Sequence, residues 1–127
     1  MHNHAKKKIL AVVDDLLFTV KISDAAKRAG LDVEFLKSDL DVVQKAKHDH
    51  PLLIIIDLNN NSVPPLELIA KLKADDDLKR ISLIGYLSHV QGELKMQAQE
   101  AGANIVMARS AFSQNLPQIL KRHAGVR

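Results

Sequence analysis

KKKILAVVDDLLFTV, residues 6–20, joins an apolar run to two adjacent carboxylates. Ile9–Val13 carries no polar residue, which is the pattern of a strand buried on both faces. The run stops on Asp14 and Asp15, with no glycine or basic residue beside them. Two charges at the end of a buried strand call for a partner elsewhere in the chain.

Working outward, four more mainly apolar runs of strand length follow: Val33–Leu36, interrupted by Glu34, Leu52–Ile56, Ile81–Leu87, interrupted by Ser82, and Ile105–Ala108. Segments with helical spacing separate them. In the first, Leu17, Val20, Ile22 and Ala25 are expected on one buried face, with Gly30 ending the helix. The second starts at Ser38 as cap and ends before Pro51; the third starts on Pro65, suited to a first helical turn. The fourth, from Val90, ends at Gly102, and the fifth, from Ala111, closes at Gly125.

Strand and helix thus alternate five times. Strands as apolar as Ile9–Val13 and Leu52–Ile56 point to a parallel sheet covered by helices on both faces. Right-handed crossovers leave few topologies, of which the strand order 2-1-3-4-5 is the compact one. The expected fold is α/β, a flavodoxin-like (βα)5 three-layer sandwich. Its functional crevice lies where strands 1 and 3 end.

Composition agrees with one domain. The chain has 127 residues, of which 46% are hydrophobic and 3% aromatic, so the core must be built from Leu, Ile, Val and Ala. Residues 1–7 are expected to be a flexible tail and residues 8–124 the domain. Cysteine is absent, which excludes a disulfide scaffold and fits a cytoplasmic location. No apolar run has the length of a membrane span, and the N-terminus is not a secretory signal. The net charge of +3 gathers partly at the ends, at Lys6–Lys8, Lys121, Arg122 and Arg127. Without aromatic interleaving or a DNA-binding motif, this reads as a solvated surface and not a nucleic-acid footprint.

The crevice carries the chemistry. Strand 3, LLIIID, ends on Asp57, so the topology should bring Asp14, Asp15 and Asp57 together. Two unit charges 4 Å apart repel by about 4 kcal/mol at an effective dielectric near 20. Three carboxylates therefore need raised pKa values or a cation, and Mg²⁺ is the hard, oxygen-seeking choice. A plain alternative is that an Asp at a strand end caps the next helix. A flavin or nucleotide phosphate is disfavoured, because VVDDLLFTV offers no glycine and the wrong charge. His2-x-His4 and His48-x-His50 have chelating spacing only if extended, and no zinc site is expected there.

With these residues in view, the chain from Lys8 to His123 resembles the receiver domain of bacterial two-component response regulators, CheY-like proteins. The segments that carry the likeness are ILAVVDD, LLIIIDLN, PLELIAKLK and EAGANIVMARS. The resemblance implies that Asp57 accepts a phosphoryl group from a sensor histidine kinase or phosphotransfer protein. It implies Mg²⁺ held by Asp14, Asp15, Asp57 and the backbone carbonyl of Asn59, with Asp15 as the direct ligand. It also implies a downstream effector protein, docking near strands 4–5 and helices 4–5, and leaves room for a homodimer. The domain would not be an enzyme beyond self-catalysed phosphoryl transfer onto its own Asp.

Several positions depart from the family. Where it ends strand 4 with Ser or Thr, this chain has Tyr86, with Ser88 two residues late. Where it has Lys then proline after strand 5, this chain has Arg109 and Ser110. Arg109 keeps the charge and is expected to pair with Asp57, but its planar fork differs from a lysine ammonium. Val106 stands at the switch aromatic, Asn61 at a common proline, and Pro65 at a glycine. These changes support an alternative: a pseudo-receiver, an interaction module that works without phosphorylation.

Overall fold

A computed structural model of the chain describes residues 7–88 and 92–125. Residues 1–6 of the expected tail, with His2 and His4, and the start of the fourth helix at Val90 lie outside them.

Five strands and five helices alternate: β1 Lys8–Val12, α1 Leu16–Arg28, β2 Asp32–Phe35, α2 Asp39–Asp49, β3 Leu53–Asp57, α3 Pro65–Ala74, β4 Ser82–Leu87, α4 Gly92–Ala101, β5 Ile105–Ala108 and α5 Arg109–Ala124. All strand pairs are parallel, in the order β2-β1-β3-β4-β5. The expected fold and strand order are both present.

Side chains alternate across each strand, so one sheet makes two cores. Leu10, Val12, Ile54 and Ile56 face α2, α3 and α4, meeting Val42, Ala46, Leu68, Ile69, Leu72 and Ala98. Ile9, Ala11, Leu53, Ile55, Ile84 and Tyr86 face α1 and α5, meeting Phe18, Ile22, Phe112, Leu116 and Leu120. Full burial of each large aliphatic side chain stabilises by roughly 1.5–3 kcal/mol.

The helix ends follow from sequence. Ser38 caps α2, its Oγ accepting the Asp41 N–H at 3.1 Å. α3 opens on Pro65, whose missing N–H costs nothing in a first turn. α2 closes on His50 in the left-handed region, with φ 48°. At the sheet's edge, Lys8 ties β1 to Glu34 of β2 at 3.0 Å and to Asp49 at the end of α2 at 2.8 Å.

One expectation fails. Leu17 and Val20 point to solvent, 59% and 58% exposed, and Phe18, Ile22, Ala25 and Ala26 form the buried face of α1. The segment Leu16–Val20 is apolar at nearly every position, so period alone did not fix its phase. The sheet did, by offering Phe18 a slot beside Tyr86.

Candidate functional site

The site sits at the C-terminal edge of the sheet, after β1 and β3. Asp14 is exposed and Asp15 partly buried just beyond β1. Asp15 caps α1: its Oδ1 accepts the Leu17 N–H at 2.8 Å, and its carbonyl accepts the Thr19 N–H at 2.9 Å. Helix capping is therefore part of the reason the strand stops on acids. The Asp14 carboxylate accepts the Ser62 hydroxyl at 3.2 Å.

Asp57 ends β3, partly buried, its Oδ1 accepting the Asn59 N–H at 2.9 Å. Its carboxyl is held above the ordinary carboxylate range. Burial is the main cause, opposed by the Asn59 N–H; the neighbouring charge of Asp14 adds to it. Such a carboxylate gains from a nearby cation.

The loop after Asp57 is an Asx-type turn. Asn60 Oδ1 accepts the Ser62 and Val63 N–H groups at 2.7 and 3.0 Å. Asn59 Oδ1 accepts the Ser88 N–H at 2.7 Å, tying this loop to the end of β4. Side-chain bonding at Asn60 and Ser62 was missed in the sequence; the string NNNS was the signal that could have found it.

Tyr86 lies beside Asp57 in the β3–β4 register, but its ring enters the core and it is 1% exposed. It stacks between Phe18 and Phe112, with ring centroids at 5.0 and 4.7 Å. Its hydroxyl is buried and, among the described residues, has no hydrogen-bond partner. Burial first, and then the Asp57 charge, push its ionisation far above the ordinary tyrosine value.

Arg109 is the first residue of α5 and not the last of β5. A cation at a helix N-terminus opposes the helix dipole and needs an acidic neighbour. Asp15 supplies it: the Arg109 guanidinium donates to Asp15 Oδ2. The guanidinium also lies 4.6 Å from the centre of the Phe18 ring. The expected Arg109–Asp57 pair is thus replaced by Arg109–Asp15, because α5 begins at once and aims the arginine at α1.

The expected convergence of three acids is only partly met. Asp14 and Asp57 act on one another electrostatically, while Asp15 turns to Arg109 and its own helix. Among the described residues, no group of three or more acids and histidines is close enough to hold a metal ion. His48 pairs with Asp49 instead. Magnesium accepts one or two carboxylates and keeps several waters. Asp14 and Asp57 fit that demand; Asp15, as placed, does not.

No family model matches the chain. The polar-differentiation response regulator DivK of Brucella abortus is 22% identical over 119 residues, covering 94% of this chain and 97% of its own length. The crystal structure of the phosphorylated cyanobacterial phytochrome response regulator RcpA superposes with a TM-score of 0.75 at 24% identity, covering 93% of this chain and 91% of that one. The receiver domain of sensor histidine kinase PA1611 from Pseudomonas aeruginosa, with a magnesium ion in its active-site cleft, gives 0.79 at 21% identity, covering 95% and 99%. The chain has the CheY-like receiver fold.

In this receiver fold, the acids after β1 and β3 occupy the switch-point crevice where open α/β sheets place their ligands. No helix among the described residues is long and apolar enough to cross a membrane.

Proposed function

We propose that the chain is a signalling receiver that accepts a phosphoryl group on Asp57 with Mg²⁺ and passes the signal on by protein contact. The observation that carries this reading is Asp57 itself. It is a partly buried carboxylate, raised in pKa by burial and by Asp14, at the carboxyl end of the central strand. A carboxylate there can attack a phosphoryl donor to form an acyl phosphate, with the donor's leaving group departing on the opposite side.

The cation would be held by Asp14, Asp57 and the backbone carbonyl of Asn59, and by Asp15 if Arg109 releases it. When bound it would neutralise the acids and the incoming phosphoryl oxygens. The chain's own residues do the rest. Asn59 N–H orients the Asp57 carboxylate, and Ser62 holds Asp14 in place. Arg109 keeps a positive charge at the mouth of the cleft. A sensor histidine kinase or phosphotransfer protein would supply the phosphoryl group, and an effector protein would read the result. The magnesium in the PA1611 receiver and the phosphorylation of RcpA support the reading. A cytoplasmic location would follow from this role.

A second reading has its own observation. Tyr86 buries its hydroxyl among aromatic rings, where the family places an exposed Ser or Thr that meets the phosphoryl group. A pseudo-receiver would need no such donor. Titration with Mg²⁺ and fluoroberyllate, followed by amide NMR, separates the two. The phosphoryl reading expects saturable shifts at Asp57, Asn59 and Ser88 that need both components. Unchanged spectra would favour the pseudo-receiver.

A further inference from the structure

α1 and α5 lie side by side on one face of the sheet. Each is joined to a strand of the same parallel sheet, so both run in the same direction, away from the cleft. A groove of about 360 Å³ opens between them. It starts at Lys21 and Ser113 and continues to the last turns, at Arg28 and Lys121. From Asp15 to Arg28 the chain descends about 20 Å at 1.5 Å per helical residue, so the far end of the groove is well away from the acids.

The floor is apolar: Ala25 and Ala29 from α1, Leu116 and Pro117 from α5. Pro117 stands inside its helix, with no N–H to give to the Ser113 carbonyl four residues back, and it forms part of the groove wall. The rim is cationic. Lys21, Arg28 and Lys121 border the groove, and the one acid among its described lining residues is Asp24, 3.3 Å from Arg28. That pair is exposed, and pairs of this kind are weak. Lys21 donates to the neutral Ser113 hydroxyl at 3.1 Å. Among the described residues, no carboxylate lies within ion-pair distance of Lys21 or Lys121. Lys27 and Arg122, in the last turns of the same helices, add to the positive field.

Lys21 and Arg28 stand about two helical turns apart. An apolar trough between two helices, edged by cations at that interval, complements a third helix with an apolar stripe flanked by carboxylates. A nucleic-acid backbone would meet the cations but leave the apolar floor unused.

We propose that the groove between α1 and α5 is a docking site for an acidic amphipathic helix of a partner protein, acting independently of the cleft. A helix seated there leaves Asp14 and Asp57 open. The site therefore holds a partner beside the receiver whether or not Asp57 carries a phosphoryl group. The proposal goes beyond the phosphoryl reading and does not need it.

The probe is a fluorescein-labelled synthetic peptide of about 15 residues, near the length at which an isolated helix holds in water, with leucines along one face and glutamates flanking them. Fluorescence polarisation with the full chain is expected to saturate. The same peptide with lysines in place of the glutamates is expected not to bind. Lys121→Glu is expected to weaken binding about fivefold, the upper end of what an exposed charge contact is worth. Lys95→Glu makes the same change of charge on α4, across the sheet, and is expected to stay within about twofold. Ala29→Phe fills the floor without changing charge and is expected to weaken binding at least as much as Lys121→Glu. Asp57→Asn is expected to bind like the wild type.

No saturable binding, equal weakening by Lys95→Glu and Lys121→Glu, or full binding by Ala29→Phe would overturn the proposal. Binding of the lysine peptide, or a dependence on Asp57, would do the same. Should Ala29→Phe not fold, the two exposed lysine variants decide alone. A short DNA duplex that binds more tightly than the peptide, and weakens in the same variants, would assign the groove to nucleic acid and overturn the proposal too. Peptide binding without phosphoryl uptake leaves this proposal standing; phosphoryl uptake without peptide binding overturns it alone.

Discussion

Asp57 and Tyr86 are register partners on β3 and β4, yet the carboxylate opens to the cleft and the tyrosine ring is sealed inside the core. Neighbouring backbone positions thus face opposite surroundings, one partly open to solvent and one sealed in the core.

Burial works against the charge on Asp57, and its pKa lies above that of an unfolded carboxylate. The sign follows by linkage. The unfolded chain releases this proton first, so the Asp57 contribution to stability is present below the ordinary Asp value of about 3.9 and is lost as pH rises through the raised one. Asp57→Asn is expected to be more stable than the wild type at neutral pH, with a smaller difference near pH 4. Thermal unfolding at the two pH values checks this; a less stable variant at neutral pH contradicts it.

Tyr86 buries a hydroxyl without a partner among the described residues. Tyr86→Phe keeps the stack on Phe18 and Phe112 and removes that polar atom. Denaturant unfolding is expected to show a gain of about 1 kcal/mol. Tyr86→Ala empties the slot and is expected to cost about 3–5 kcal/mol. A loss of stability in the Phe variant would mean that the hydroxyl has a bonded partner in solution.

Lys8 holds Asp49 well down, at about 2, through a direct hydrogen bond, with His48 adding a second. This is a depressed acid, so its stabilising effect is present above the ordinary carboxylate value and fades as pH falls toward 2. Asp49→Asn is expected to lose about 1 kcal/mol at pH 7, because the pair is only partly exposed. The loss should shrink as pH is lowered toward 3. A deficit independent of pH would place the effect in packing at the end of α2.

The fold was legible because its signals are local. Ile9–Val13 and Leu52–Ile56 read as buried strands from their own residues, and Ser38 and Pro65 announced their helix starts. What was not legible depends on distant partners. Arg109 and Asp15 lie 94 residues apart, and no pattern near either says that they meet. Phe18 was overlooked in favour of Leu17 and Val20 because only its contact with Tyr86 and Phe112 tells which apolar side chain turns inward. Asp57 stood out in sequence because an acid that follows five apolar residues is costly without a task. Asp15 stood out for the same reason, yet much of its cost is met by the helix it caps and the arginine it holds.

Incubation with acetyl phosphate and Mg²⁺, followed by intact-mass analysis, tests the central claim most directly. The wild type is expected to gain the mass of a single phosphoryl group, to lose it when Mg²⁺ is chelated before the donor is added, and to show no gain as Asp57→Asn. A wild-type mass that does not change, or an equal gain in the Asp57 variant, would contradict phosphoryl acceptance at this residue.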